Sequence, residues 1–289
     1  MGCAVREPSG RPGRWNYSHR MVSPYRTTVT EPVGTLEAQH LVKRFHGHAA
    51  VSDVSFVLRP GEILGYLGPN GSGKSLTLKM LTGLIEPTHG RVTYSGVDVT
   101  GGTLDFRRRF GYVPEEPHLY PFLSGREYLD LVAGVRDLPT SIMRPKIDAL
   151  LERFGLAEAA EQSISAYSKG MKQKTLLIAA LLHDPELLIF DEPESGLDVG
   201  SILVLRHLVR VLADRGRAVL YSSHIVENVE RLCTRVIVLS AGRIVIDGNV
   251  DSIRTIAPSG SLEEAFATLA AQQPRSLASE IADIVTDHA

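Results

Sequence analysis

From about Thr35 the chain alternates apolar and polar positions. "TLEAQHLVKRF" and "AVSDVSFVL" carry the period of two expected of half-buried strands. "EILGYLG" breaks that alternation and is apolar throughout, the mark of a strand buried on both faces in a parallel sheet. Ser75 to Thr82 then takes up helical spacing, and short strands are predicted around "RVTYSG" and "FGYVP". From about residue 116 to 183 the period changes. "SGREYLDLVAGV", "SIMRPKIDALLERFGLAEAAEQ" and "KGMKQKTLLIAALLH" all place apolar residues at helical intervals.

Beyond that block, strand and helix alternate again. "ELLIF", "RAVLYSS" and "TRVIVLS" read as strands, with helices over "DVGSILVLRHLVRVLADRG" and "IVENVERLC" between them. A hairpin-like "GRIVIDG" closes the domain. Alternating βα units predict an α/β fold on a parallel sheet, here with a helical insertion at about 116–183. The predicted domain runs from 35 to 250, after a disordered extension over 1–34 and before a helical tail over 251–289. The extension is rich in Arg, Pro, Gly and Ser without periodicity. It carries no apolar core for a secretory signal, and Met21 is a second candidate start.

Composition narrows the function classes. A formal net charge of -2 supplies no positive field for nucleic acid or an anionic membrane. Two cysteines, Cys3 and Cys233, form neither a zinc spacing nor a disulfide framework, which fits a reduced cytosolic compartment. No apolar stretch reaches spanning length, because "TLLIAALLHDPELLIF" is interrupted by His183, Asp184, Pro185 and Glu186.

Chemistry enters at "LGYLGPNGSGKSLTLKMLTG". Gly68, Pro69, Asn70, Gly71, Ser72, Gly73, Lys74 and Ser75 match G-x-x-x-x-G-K-[ST] between a buried-type strand and a helix. The glycines let successive N–H groups face phosphate oxygens at the positive end of the next helix. Lys74 would reach the β- and γ-phosphates, and Ser75 would hold magnesium. Chance gives such a match in about one chain in a hundred of this length. "LLIFDEPESGLD" ends an apolar strand on Asp191 and Glu192, at the edge where open α/β sheets bind ligands. Asp191 suits a magnesium role and Glu192 a base that polarises the attacking water. Alone, Asp-Glu after an apolar run is more commonly a helix cap at a turn; the phosphate loop gives it weight.

At this point residues 35 to 250 resemble the ATPase subunits of ABC transporters. "YSKGMKQK" is similar to the family's signature, "SGLD" to the loop after the catalytic carboxylate, and "SSH" to the strand end with the switch histidine. The resemblance implies a P-loop NTPase with a RecA-like core, an antiparallel β subdomain and an inserted helical subdomain. It implies ATP and Mg2+ as ligands, Phe45 as the adenine platform and Leu76 as a further nucleotide contact. Ser168, Gly170 and Asp198 would serve the ATP of a second subunit, and His224 would read the γ-phosphate. Glu115 stands where the family usually has a Gln that reaches magnesium and the attacking water; a carboxylate can also coordinate the cation. The signature Leu-Ser-Gly-Gly-Gln is here Tyr167-Ser168-Lys169-Gly170-Met171. That variant, with "PEEPHLYPFLSGREYL", is similar to the exporter-type branch for drugs, antibiotics, lipids or polysaccharides.

The resemblance therefore implies an ATP-hydrolysing subunit that pairs with a second ATPase subunit, identical or pseudo-symmetric, around ATP. It would drive an integral-membrane permease from the cytoplasmic, inner face of the membrane, docking through the helical block and the Glu115 loop, with no nucleic-acid partner. The alternative is a soluble ABC-type ATPase acting on ribosomes or in DNA repair. A GTPase is disfavoured by the lack of an Asn-Lys-x-Asp guanine reader. His46 and His48 read as solvated loop residues and Arg107, Arg108 and Arg109 as an exposed charged face.

Overall fold

The alternating segments near the start pair with each other. In the computed structural model, which describes residues 34–254, strands β1 (Leu36–Phe45) and β2 (His48–Leu58) form an antiparallel hairpin. The uniformly apolar β3 (Ile63–Leu67) is buried at every position and leads into α1 (Lys74–Leu81). Strands β4 (His89–Tyr94) and β5 (Val97–Asp98), a short α2 (Leu104–Arg107) and β6 (Phe110–Val113) follow. Three helices, α3 (Gly125–Val135), α4 (Thr140–Arg153) and α5 (Lys169–Leu181), then precede β7 (Leu187–Asp191). The remaining described chain forms α6 (Val199–Asp214), β8 (Ala218–Ser223), α7 (Val226–Leu232), β9 (Arg235–Ser240), β10 (Arg243–Asn249) and α8 (Val250–Arg254).

Two sheets result. One is antiparallel, in the order β2-β1-β4-β5. The other has the order β10-β9-β3-β8-β7-β6, parallel except for β10, which returns antiparallel at the edge. The long excursions between neighbours in that order are crossovers, as parallel pairing demands. Both faces of this sheet are covered. Leu67, Leu188, Phe190 and Tyr221 pack towards α5, α6 and α7. Tyr66, Ile189, Leu220 and Leu239 pack towards α1 and the antiparallel sheet. Burial on both sides explains why β3, β7 and β8 lack polar alternation. A third core, with Leu129, Ile147, Leu151, Ile178 and Leu182, joins α3, α4 and α5.

The helical spacing that continues to Gln162 does not produce one long helix. The helix stops at Arg153, and Gly155 takes a left-handed φ of 68°, a conformation that ends helices. Two single 3-10 turns, Ala157–Ala159 and Ile164–Ala166, carry the chain on to α5. The expected extension over 1–34 lies outside the described residues apart from Gly34, and so does the tail beyond Arg254.

Close packing of α5 on the sheet sets the height of that helix. At Gly111 of β6, a β-carbon would stand 2.2 Å from the carbonyl oxygen of Ala180 in α5. A backbone atom cannot swing aside as a side chain would. Gly111→Ala is expected to cost about 1–3 kcal/mol through forced repacking, read as a lower urea midpoint. An unchanged midpoint would contradict this packing.

Candidate active site

Because the strands run parallel, their C-terminal ends gather along one edge of the sheet. The end of β3 delivers the Gly68–Gly73 loop, β6 delivers Glu115, β7 ends on Asp191 before Glu192, and β8 on Ser223 before His224. A cleft of about 350 Å3 lies between them, lined by Ala50, Asn70, Gly71, Gly73, Lys74, Ser75, Leu76, Glu115 and Glu192.

The loop is braced from the antiparallel side. Gly242, in the β9–β10 turn, donates its N–H to the Ser72 carbonyl at 3.0 Å and accepts from Ser52 N–H of β2 at 2.8 Å. Gly73 adopts φ 102°, and a β-carbon there would meet the Ala50 carbonyl at 2.9 Å, so only glycine fits without strain. The first turn of α1 carries no acidic residue and no side-chain cap, which leaves its N–H groups and positive dipole end for an anion. Lys74, 6% exposed, folds back so that Nζ donates to the Gly68 carbonyl at 2.7 Å and the Pro69 carbonyl at 3.4 Å.

The carboxylates are the costly part. Asp191 Oδ1 accepts from Ser222 Oγ at 2.7 Å, while its Oδ2 is buried without a hydrogen-bond partner. Glu192 sits at a left-handed φ of 49°, with Oε2 2.9 Å from His224 Nδ1 and Oε1 3.9 Å from Lys74 Nζ. That Oε1 is likewise buried and has no hydrogen bond. Burial raises the Asp191 carboxyl above the ordinary range, opposed by Ser222, Ser75 and Lys74 and reinforced by Glu115. Burial also raises Glu192, opposed by His224 and Lys74. Ser75 Oγ donates to Glu115 Oε2 at 3.3 Å. Ser75, Asp191 and Glu115 thus present the oxygen donors a hard divalent cation prefers, and the unpartnered Asp191 Oδ2 is a position such a cation would satisfy. Among the described residues, no three His, Cys, Asp or Glu side chains are gathered to hold a metal by themselves. A cation here would also use the Ser75 hydroxyl and oxygens of a bound anion.

Of the residues that the motifs mark, the structure brings Gly68 through Leu76, Glu115, Asp191, Glu192 and His224 together. It does not bring Ser168, Gly170 or Asp198 to them. Ser168 caps α5 by accepting from Met171 N–H at 3.2 Å. Asp198 caps α6 by accepting from Ser201 N–H at 2.9 Å and from its hydroxyl at 2.7 Å. Lys169 and Gly170 lie against the backbone of Gly196, so the two loops form one surface. Among the described residues neither Ser168 nor Asp198 lines the Lys74 cleft or bonds to a residue that does. Phe45 stands at the end of β1, 47% exposed, with Lys43 Nζ 5.4 Å above its ring.

Two residues inside the quoted motifs, given no role by the sequence reading, frame the site. Gln173 of α5, fully buried, donates to the Pro193 carbonyl at 3.0 Å. Glu194 accepts from Tyr221 OH at 2.6 Å, Arg206 Nε at 2.8 Å and Asn228 Nδ2 at 2.6 Å. The segment after Glu192 is thereby tied to α5, α6, β8 and α7. A polar Gln173 on the face of α5 that carries Leu176, Leu177 and Ala180 was the signal available in the sequence.

The family described as ABC transporter matches residues 51–195, which leaves Phe45, Asp198 and His224 outside the matched span. An uncharacterized ABC transporter ATP-binding protein of Nostoc sp. is 39% identical over 201 residues, 69% of this chain and 59% of that protein. The chain therefore spans less than two thirds of that relative's length. The linearmycin resistance ATP-binding protein of Bacillus subtilis is 37% identical over 213 residues, 74% of this chain and 68% of its own. Among solved structures, an ATP binding subunit of an ABC transporter is 35% identical with a TM-score of 0.75, covering 81% of this chain and 98% of that one.

The raised carboxyls have a consequence for stability. Their ionised forms are the ones burial penalises, so folding takes up protons at Asp191 and Glu192. Their contribution is full below the ordinary carboxylate range and is lost as the pH rises through the raised folded values. Glu192→Gln removes one of the two. Its Tm is expected to gain on that of the wild type as the pH rises from about 4 to about 8. A Tm difference independent of pH would contradict the assignment.

Proposed function

The chain belongs to the ABC transporter ATP-binding family, and on that premise we propose that it hydrolyses ATP, pairs with a second ATPase subunit around it, and drives a separate membrane permease. The observation that carries this reading is the cleft itself: two adjacent buried carboxylates, each with an oxygen that makes no hydrogen bond, one of them ion-paired with Lys74 at the head of α1. A triphosphate fits the N–H groups of the loop and the Lys74 ammonium, which then exchanges its carbonyl partners for phosphate oxygens. Ser75, Asp191 and Glu115 would hold magnesium, which when bound draws charge from the phosphate oxygens. Phe45 offers one ring face to the adenine.

Glu192 is the base. Water attacks the γ-phosphorus, the bond to the β–γ bridging oxygen breaks, and Glu192 takes the water proton, leaving ADP and inorganic phosphate. A carboxyl raised by burial is better matched to that transfer than an exposed one. His224 holds Glu192 Oε2 before the nucleotide arrives and is placed to turn to the γ-phosphate afterwards.

Ser168, Gly170 and Asp198 lie away from the chain's own cleft, so their service falls to a second subunit's ATP. A two-fold pair satisfies both sites at once. ATP then joins the pair and hydrolysis releases it, and the difference in affinity between the two states can work a partner's conformation. Among the described residues no helix is long and apolar enough to cross a membrane. The partner in this reading is a permease, met at the inner face of the membrane, which relatives named as transporter subunits support; the name of the linearmycin resistance relative favours export. A soluble ATPase of ribosomes or DNA repair is not favoured by relatives named as transporter subunits.

Three results test this. Lys74→Ala is expected to weaken ATP binding at least about tenfold, and wild-type affinity would count against the loop. Glu192→Gln is expected to bind ATP, to double in mass by light scattering when ATP is added, and to lose turnover. Retained turnover would remove Glu192 as base. A pull-down from membranes with tagged Glu192→Gln protein and ATP should capture a polytopic membrane protein; ribosomal proteins in its place would overturn transport.

A further inference from the structure

We propose that Glu115 makes nucleotide binding in this cleft strictly dependent on a divalent cation. The proposal rests on the reading of the cleft as an ATP site and concerns how that site selects the form of nucleotide it accepts.

Glu115 stands between two adjoining clefts, and each of them holds a further, buried carboxylate. Glu115 borders the cleft that holds Lys74 and Glu192, and also an adjoining one of about 380 Å3 that holds Asp191 and Lys79. Its Oε2 is 3.3 Å from Ser75 Oγ, at the first turn of the helix that receives the phosphates. Asp191 is 1% exposed, and its Oδ2 has no partner. Against these stand Lys74, whose Nζ already serves two backbone carbonyls, and Lys79 in the adjoining cleft. A metal-free triphosphate would add about four negative charges to a cleft that is already acidic. A divalent cation bound there would offset about half of those charges and give the open Asp191 oxygen a partner.

Position 115 decides how steep that difference is. An amide there would still offer an oxygen to the cation but would carry no charge against a bare triphosphate. Coupling between two ligands is reciprocal, so the cost that Glu115 imposes on metal-free ATP reappears as tighter capture of the cation by the nucleotide complex. Glu115 is exposed, so solvent screens part of its field. A charge at this range still changes affinity by about tenfold or more.

The test is calorimetric titration of the full chain with ATP, once with saturating Mg2+ and once in EDTA, on the wild type, Glu115→Gln and Glu115→Asp. The Gln variant is expected to bind metal-free ATP about tenfold or more tightly than the wild type, and to show no comparable gain with Mg2+, where it also gives up a charged cation ligand. The ratio of the two Kd values should therefore collapse in Glu115→Gln and persist in Glu115→Asp, which keeps the charge. Equal ratios in wild type and Glu115→Gln, or a collapse in Glu115→Asp as well, would overturn the proposal. No saturable binding by the wild type with Mg2+ present would overturn the reading of the cleft, and the proposal with it.

Discussion

Two carboxylates buried at the end of one strand are the constraint around which this fold is arranged. Asp191 and Glu192 each keep an oxygen out of water with no hydrogen bond. Such a group costs free energy in any fold, and the surroundings are built to tolerate it. Ser222 of β8 donates to Asp191 and accepts from the backbone of Glu192. Gln173 of α5 fixes the Pro193 carbonyl, and Glu194 gathers side chains from α6, β8 and α7. The pair is therefore held still while left unsatisfied, which is the state a site needs if its ligand is to complete it.

The same framing links the cleft to a distant surface. The segment from Glu192 to Asp198 starts at the buried carboxylate proposed as the base, passes through the Glu194 network, touches Lys169 and Gly170 at Gly196, and ends by capping α6. A shift of α5 or α6 would be felt at Glu192 through short covalent and hydrogen-bonded steps. That is a physical route by which events at Ser168 and Asp198 could reach the chemistry at Lys74. Its members are held by named hydrogen bonds rather than by proximity alone.

Much of this was legible in the sequence, for identifiable reasons. Short segments without polar alternation, flanked by turn residues, read as strands covered on both faces, and β3, β7 and β8 are buried at every position. The glycine and lysine spacing at Gly68 to Ser75 is a local backbone requirement, so it survives without tertiary knowledge. What was not legible depends on neighbours distant in sequence. The brace from Gly242 to Ser72 joins a late turn to an early loop. The Glu194 cluster draws on residues 206, 221 and 228, none of which carries a local signal. The break after Arg153 was not legible either, because periodicity does not register that Gly155 takes a left-handed φ.

The separation of the cleft from Ser168, Gly170 and Asp198 leads to the central claim, that a working site takes half its residues from each of two subunits. Mixing two inactive variants tests it most directly. Lys74→Ala damages the cleft of its own chain and Ser168→Ala damages the surface offered to the partner's ATP. A mixed pair contains one site with both defects and one site with neither. ATP hydrolysis by an equimolar mixture should therefore rise well above the sum of the separate variants, towards about a quarter of wild type if pairing is random. Activity that stays at that sum would mean that each chain hydrolyses alone, and the two-subunit account would be wrong.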